Sequence, residues 1–135
     1  MSDSKQPVIV IIEDEASIRR IYDVILSRAG MEVHSFANHK DADAWLDTHK
    51  ADAIITDERI ENQAETGVEW TKRLTAGATL NHNTPVIVSS GSAEEKDVLD
   101  AGAKLLIEKP FKPNQITDAL SEVLGQEVSP PGRNR

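Results

Sequence analysis

The chain has 135 residues, 39% of them hydrophobic and 28% charged, with a formal net charge of −8 and no cysteine. That length suits one domain, which on folding removes roughly two-thirds of its surface from water. The missing cysteine excludes disulfides, zinc–thiolate sites and thiol nucleophiles, and the acidity argues against direct nucleic-acid binding, because the phosphate backbone would be repelled. No apolar run reaches bilayer length and none reads as a signal peptide, so a cytoplasmic protein without membrane contact is expected.

A polar leader, residues 1–6, precedes Pro7 and the continuous β-branched run Val8-Ile9-Val10-Ile11-Ile12, which predicts a strand buried on both faces. The run ends in Glu13-Asp14-Glu15. Ile18, Ile21, Tyr22, Ile25 and Ala29 then recur at helical spacing, and Gly30 closes them as a C-cap. Val33 to Phe36 alternates and predicts a short strand nearer an edge. Asn38 can cap a second helix with Ala42, Trp45 and Leu46 on its apolar face.

Ala53-Ile54-Ile55-Thr56-Asp57 is another buried strand, stopping on a carboxylate. The stretch from Glu58 to Thr66 is polar and irregular. After Gly67 a third helix is predicted from about Val68 to Ala76, with Leu74 inward. Asn81 to Thr84 forms a loop, and Pro85-Val86-Ile87-Val88 predicts a fourth strand closing on Ser89-Ser90-Gly91. Ser92 opens a helix with Glu94 and Glu95 in its first turn, a placement the helix dipole favours, and Ala101-Gly102 ends it. Leu105-Leu106-Ile107 is the fifth strand and runs into Glu108-Lys109-Pro110-Phe111. The last helix carries Ile116, Ala119, Leu120, Val123 and Leu124 and stops at Gly125; residues 127–135 read as a flexible tail. Five alternations of strand and helix predict an α/β fold: a five-stranded parallel sheet, doubly wound, with five helices, over residues 7–126.

Parallel strands place all their carboxyl ends on one edge, where open α/β sheets bind ligands. That edge receives Glu13 and Asp14 from the first strand, Asp57 from the third, Ser89 and Ser90 from the fourth and Lys109 from the fifth. Clustered carboxylates raise one another's pKa unless something positive sits among them. An acidic, oxygen-lined pocket suits a hard divalent cation such as Mg²⁺. An anion could then approach Asp57 with Lys109 and a serine hydroxyl beyond it, which are the groups a transferring phosphoryl group requires. On these residues alone, Asp57 is either a nucleophile forming an acyl phosphate or a metal ligand only.

These motifs resemble the receiver domains of bacterial two-component response regulators. Glu13-Asp14 matches the family's acidic pair, Asp57 its phospho-accepting aspartate, Ser90 before Gly91 its hydroxyl position, and Lys109-Pro110-Phe111 its lysine and cis-proline. The resemblance covers residues 7 to 126 and implies a flavodoxin-like sheet of order 2-1-3-4-5. It further implies that Asp57 takes a phosphoryl group from a sensor histidine kinase or a histidine phosphotransfer protein and signals to a downstream protein target. Mg²⁺ would be held by Asp14, Asp57 and the main-chain carbonyl of Arg59, with Glu13 acting through water. Ser90 and Lys109 would bind the phosphoryl group, and phosphorylation-dependent homodimerisation is open.

Three positions depart from the family. The loop from Glu58 to Gly67 lacks the usual proline and is longer, so an unbraced, more mobile loop is expected. Arg59 could shield the phosphoryl group, pair with Glu13, or stay solvated. Leu106 stands where the family usually carries Tyr or Phe, so it either fills the pocket or leaves signalling to the loops around Ser90 and Glu58. His34, His39, His49 and His82 are scattered and are read as exposed; Trp45 is read as core, and Trp70 is not placed. No effector sequence follows Gly125, so a stand-alone regulator is expected, with a truncated longer one as the alternative.

Competing classes fit less well. A phosphatase of the haloacid dehalogenase type wants a second aspartate where Arg59 stands, and a flavodoxin-like carrier would meet repulsion from Glu13-Asp14-Glu15. A pseudo-receiver, binding partners independently of phosphorylation, remains as the alternative. The chain is thus expected to be a signalling domain and not an enzyme acting on other substrates.

Overall fold

The computed structural model describes residues 6–61 and 65–128. Strand and helix alternate throughout: β1 (Val8–Ile12), α1 (Ala16–Arg28), β2 (Glu32–Phe36), α2 (His39–Leu46), β3 (Ala53–Asp57), α3 (Gly67–Ala76), β4 (Val86–Ser90), α4 (Glu95–Asp100), β5 (Leu105–Glu108) and α5 (Pro113–Leu124). All strand pairs are parallel, in the order β2-β1-β3-β4-β5. This is the doubly wound sheet that the alternation of strands and helices predicts.

The uninterrupted apolar runs take the central places because both of their faces are covered. Successive residues of β1 divide between two cores: Ile9 and Ile11 face Tyr22 and Leu26 of α1 and Ile116 and Leu120 of α5, whereas Val10 and Ile12 face Ala42 and Leu46 of α2, Trp70 of α3 and Val98 of α4. Full burial of each such aliphatic side chain stabilises the fold by about 1.5–3 kcal/mol relative to exposure. β2 has only partly buried apolar residues, which fits its place at the edge.

Helix ends follow local chemistry. Asn38 Oδ1 accepts from the Asp41 N–H at the start of α2, and Thr66 and Glu69 form a reciprocal capping box at the start of α3. Gly30 and Gly125 have φ of 86° and 69°, the left-handed conformation that closes α1 and α5.

Three sequence expectations change, and Trp70, not placed from the sequence, finds its position. α4 begins at Glu95 rather than Ser92, because Ser90 Oγ accepts the main-chain N–H groups of Ser92 and Ala93 and turns the chain there first. Trp70 is fully buried and donates Nε1–H to Asp43 Oδ1. His39 is buried as well, stacked on Trp70 and bonded to Thr56. The packed chain runs past residue 126: Val128 is buried, and its N–H donates to Ser121 Oγ. Residues 129–135 of the expected tail and residues 1–5 of the leader lie outside the described residues. Among the described residues, no helix is long and apolar enough to cross a membrane.

Candidate functional site

β1 and β3 are neighbours with Ile12 opposite Thr56, so the residues that follow each strand emerge side by side. One carboxylate oxygen from each of Glu13, Asp14 and Asp57 lies within 4.8 Å of the others. Glu13 is 1% and Asp57 7% exposed, while Asp14 is partly open to solvent. Lys109, entering from the end of β5, reaches Asp57 Oδ1 at 3.0 Å and Glu13 Oε1 at 3.5 Å. The peptide bond that follows Lys109 is cis.

Three negative charges thus face one cation, and the titration behaviour follows. Burial, opposed by the hydrogen bond from Glu15 and reinforced by the charge of Asp57, pushes Glu13 up to about 7. Burial also raises Asp57, against the hydrogen bond and charge of Lys109. For Lys109 burial alone would favour the neutral amine, but Asp57 and Glu13 outweigh it and the net shift is upward. A hard cation held by oxygens would remove the excess negative charge, so the donor set fits Mg²⁺.

Ser90 lies one residue beyond Ser89, which is opposite Asp57 in the sheet register. Its oxygen accepts from Ser92 (3.0 Å) and Ala93 (2.8 Å), which leaves its single proton to donate. Ser89, on the alternate side of β4, is buried next to Tyr22 and does not belong with Ser90. Leu106 is opposite Val88 and packs on the core covered by α2, α3 and α4. Arg59 is exposed, and its main-chain N–H opposes the rise that burial imposes on the Asp57 pKa.

The loop after Asp57 has braces of its own. Ile60 is 4% exposed and enters the same core as Trp70. Glu58 carries the other brace: its carbonyl accepts from Gly67 N–H and its Oε1 from Val68 N–H, both at 2.8 Å, so it holds the start of α3 against the end of β3. The expected unbraced loop is therefore corrected at both stems; residues 62–64 lie outside the described residues. A cleft of about 500 Å³ opens between this loop and Asp14, lined also by Arg59, Glu61, Glu65 and Thr66.

Several site residues were not singled out from the sequence. Arg19 Nη1 donates to the carbonyls of Glu13 (2.7 Å) and Asp14 (3.0 Å), pinning the acidic turn from the first turns of α1. Thr56 Oγ1 donates to the Asp57 carbonyl, so His39 Nε2, 3.0 Å away, must donate to Thr56. An arginine about a turn and a half past an acidic pair is a readable signal for the first. Nothing in the local pattern announces the second.

A parallel sheet of order 2-1-3-4-5 with two acids after β1, an aspartate at the end of β3, a hydroxyl on β4 and a lysine after β5 defines a class of phosphotransfer signalling domain. The response regulator receiver domain family matches residues 9–121, and the chain belongs to that family. The phosphate regulon transcriptional regulatory protein PhoB of Pseudomonas aeruginosa is 33% identical over 119 residues, 86% of this chain and 51% of its own length. The chain thus spans about half of that relative. The chemotaxis protein CheY of Thermotoga maritima is 29% identical over 119 residues, 85% of this chain and 95% of its own. In structure, the chemotaxis response regulator CheY4 of Vibrio cholerae is similar with a TM-score of 0.80 at 25% identity, covering 89% of this chain and 100% of that one.

Proposed function

We propose that this receiver domain accepts a phosphoryl group on the Asp57 carboxylate from a phosphohistidine on a sensor kinase or a histidine phosphotransfer protein, in the cytoplasm. One observation carries the reading: Lys109 Nζ lies 3.0 Å from Asp57 Oδ1 beside the Glu13–Asp14 pair, a cation and an acid cluster around one strand-end carboxylate. An Asp57 oxygen forms a bond to phosphorus as the bond from phosphorus to the donor imidazole breaks. Asp14, Asp57 and the Arg59 carbonyl would hold Mg²⁺, with Glu13 acting through water. The ion supplies charge neutralisation for the equatorial phosphoryl oxygens.

Lys109 provides the second positive charge and stays protonated, as its raised pKa requires. Ser90 donates its hydroxyl proton to the phosphoryl group. To do so it moves toward Asp57 and lets go of Ser92 and Ala93, so the turn leading into α4 is what changes and offers a new surface to a downstream protein. Leu106 fills its pocket in both states. The domain catalyses only its own phosphoryl transfer and hydrolysis. The pseudo-receiver reading is not favoured, because Asp14, Asp57, Ser90 and Lys109 are all present.

The test is incubation with Mg²⁺ and acetyl phosphate, followed by intact-mass measurement, with beryllofluoride binding as a second probe. Wild type is expected to form the adduct and Asp57→Asn to form none. Failure of both proteins to respond would favour the pseudo-receiver.

A further inference from the structure

Two carboxylates of the cluster accept a main-chain hydrogen bond. Glu15 N–H donates to Glu13 Oε2 at 3.1 Å. That donor sits two residues beyond its acceptor, so the strand end supplies it locally. Asp14 differs. Its Oδ2 accepts from the main-chain N–H of Glu61 at 3.0 Å, across 47 residues of sequence, and that donor belongs to the loop after β3.

The loop presents this N–H from a fixed stem. Ile60, the preceding residue, is buried in the core, and Glu58 ties the far end of the loop to Gly67 and Val68. No proline occurs between Glu58 and Gly67, so Glu61 keeps the main-chain N–H that a proline there would remove.

We propose that the main-chain N–H of Glu61 is a positioning group for the cation site. It fixes the rotation of the Asp14 carboxylate within the acid cluster, and it couples occupancy of that cluster to the position of the loop. The inference rests on the Mg²⁺ reading above. Carboxylates that ligate metals are themselves held by hydrogen bonds, and loss of such a partner typically lowers metal affinity about 10- to 100-fold. The coupling runs both ways: a cation that draws on Asp14 acts on the loop, and a partner seated in the cleft between Arg59 and Glu65 acts on the cation site.

The experiment is calorimetric titration with Mg²⁺ of wild type, Glu61→Pro and Glu61→Ala. Both variants lose the same charge, but only proline removes the N–H. Glu61→Pro is expected to bind Mg²⁺ at least about 10-fold more weakly than Glu61→Ala. Equal affinities in the two variants would overturn the proposal and leave the Mg²⁺ reading standing, whereas a wild type that binds no Mg²⁺ would overturn both. Should Glu61→Pro fail to fold, the wild-type amide resonance of Glu61 decides. It is expected to be protected from exchange and to shift with the midpoint of the binding heat; free exchange with no response to Mg²⁺ would overturn the proposal.

Discussion

Gly67 is where the site is least tolerant of an added atom. A Cβ there would come within 2.5 Å of the Asp57 carbonyl oxygen and 3.0 Å of Glu58 Cα, both main-chain atoms that cannot rotate away. Gly67→Ala is therefore expected to push the start of α3 off the end of β3. Overpacking of this kind destabilises by about 1–3 kcal/mol, readable as a lowered urea midpoint. Since the nearest displaced atom is the carbonyl oxygen of Asp57 itself, beryllofluoride binding should weaken in the same variant. An unchanged midpoint together with unchanged binding would show that the loop yields freely. The sequence marks Gly67 as a breaker after a polar stretch, but the close approach is a three-dimensional fact. His39 makes the same point. As one polar residue near the start of α2 it reads as exposed, yet it lies behind Asp57 through Thr56 because β3 and α3 close over it.

Among the elements, α4 carries the least of its own stability. It has six residues, its buried anchor is Val98, and no side chain caps its first turn. A helix that short does not hold alone in water. Ser90 fixes the turn ahead of it, so Ser90→Ala is expected to release the amides of Ser92 and Ala93, to speed hydrogen exchange from residue 91 to 100, and to cost on the order of 1 kcal/mol. Ser90→Thr, which keeps the hydroxyl, should preserve the protection. Equal exchange in wild type and Ser90→Ala would remove the turn from the proposed signalling step.

The reason the start of α4 escapes the sequence lies in the same residue. Glu94 and Glu95 look like a first turn, but the competing bonds to Ser90 Oγ delay the helix by three residues. The central strands are legible because an uninterrupted β-branched run has few places to go other than between two layers. Lys109 and Asp57 are legible because strand ends in a parallel sheet must share an edge. The braces of the loop after β3 are not, because Ile60 and Glu58 act through contacts with α3 and the core that no local pattern encodes.

At the scale of the whole molecule, the acid cluster sets how stability responds to pH. Glu13 titrates near 4.5 when unfolded and at about 7 in the folded, metal-free protein. Between these values the folded state holds the extra proton, so stability is greatest at the acidic end and falls as pH rises through about 7. Asp57 is shifted in the same direction and adds to the slope. Glu65, lowered chiefly by its hydrogen bond with Arg73, acts oppositely, but its contribution is complete above about 4.5 and is lost only below it. Lys109, raised by its two acids, contributes through the whole interval and loses its effect only in alkali.

On the proposed function, Mg²⁺ is expected to invert the trend, because it would bind the deprotonated carboxylates and stabilise the state that holds it. In EDTA the melting temperature is expected to fall between about pH 5 and about pH 8, while saturating Mg²⁺ should raise it far more at the upper pH than at the lower. Glu13→Gln removes the principal titrating group and should flatten the slope in EDTA. A melting temperature in EDTA that rises over this interval would show that the cluster is compensated without a cation, and that the stress on Glu13 and Asp57 is not what Mg²⁺ relieves.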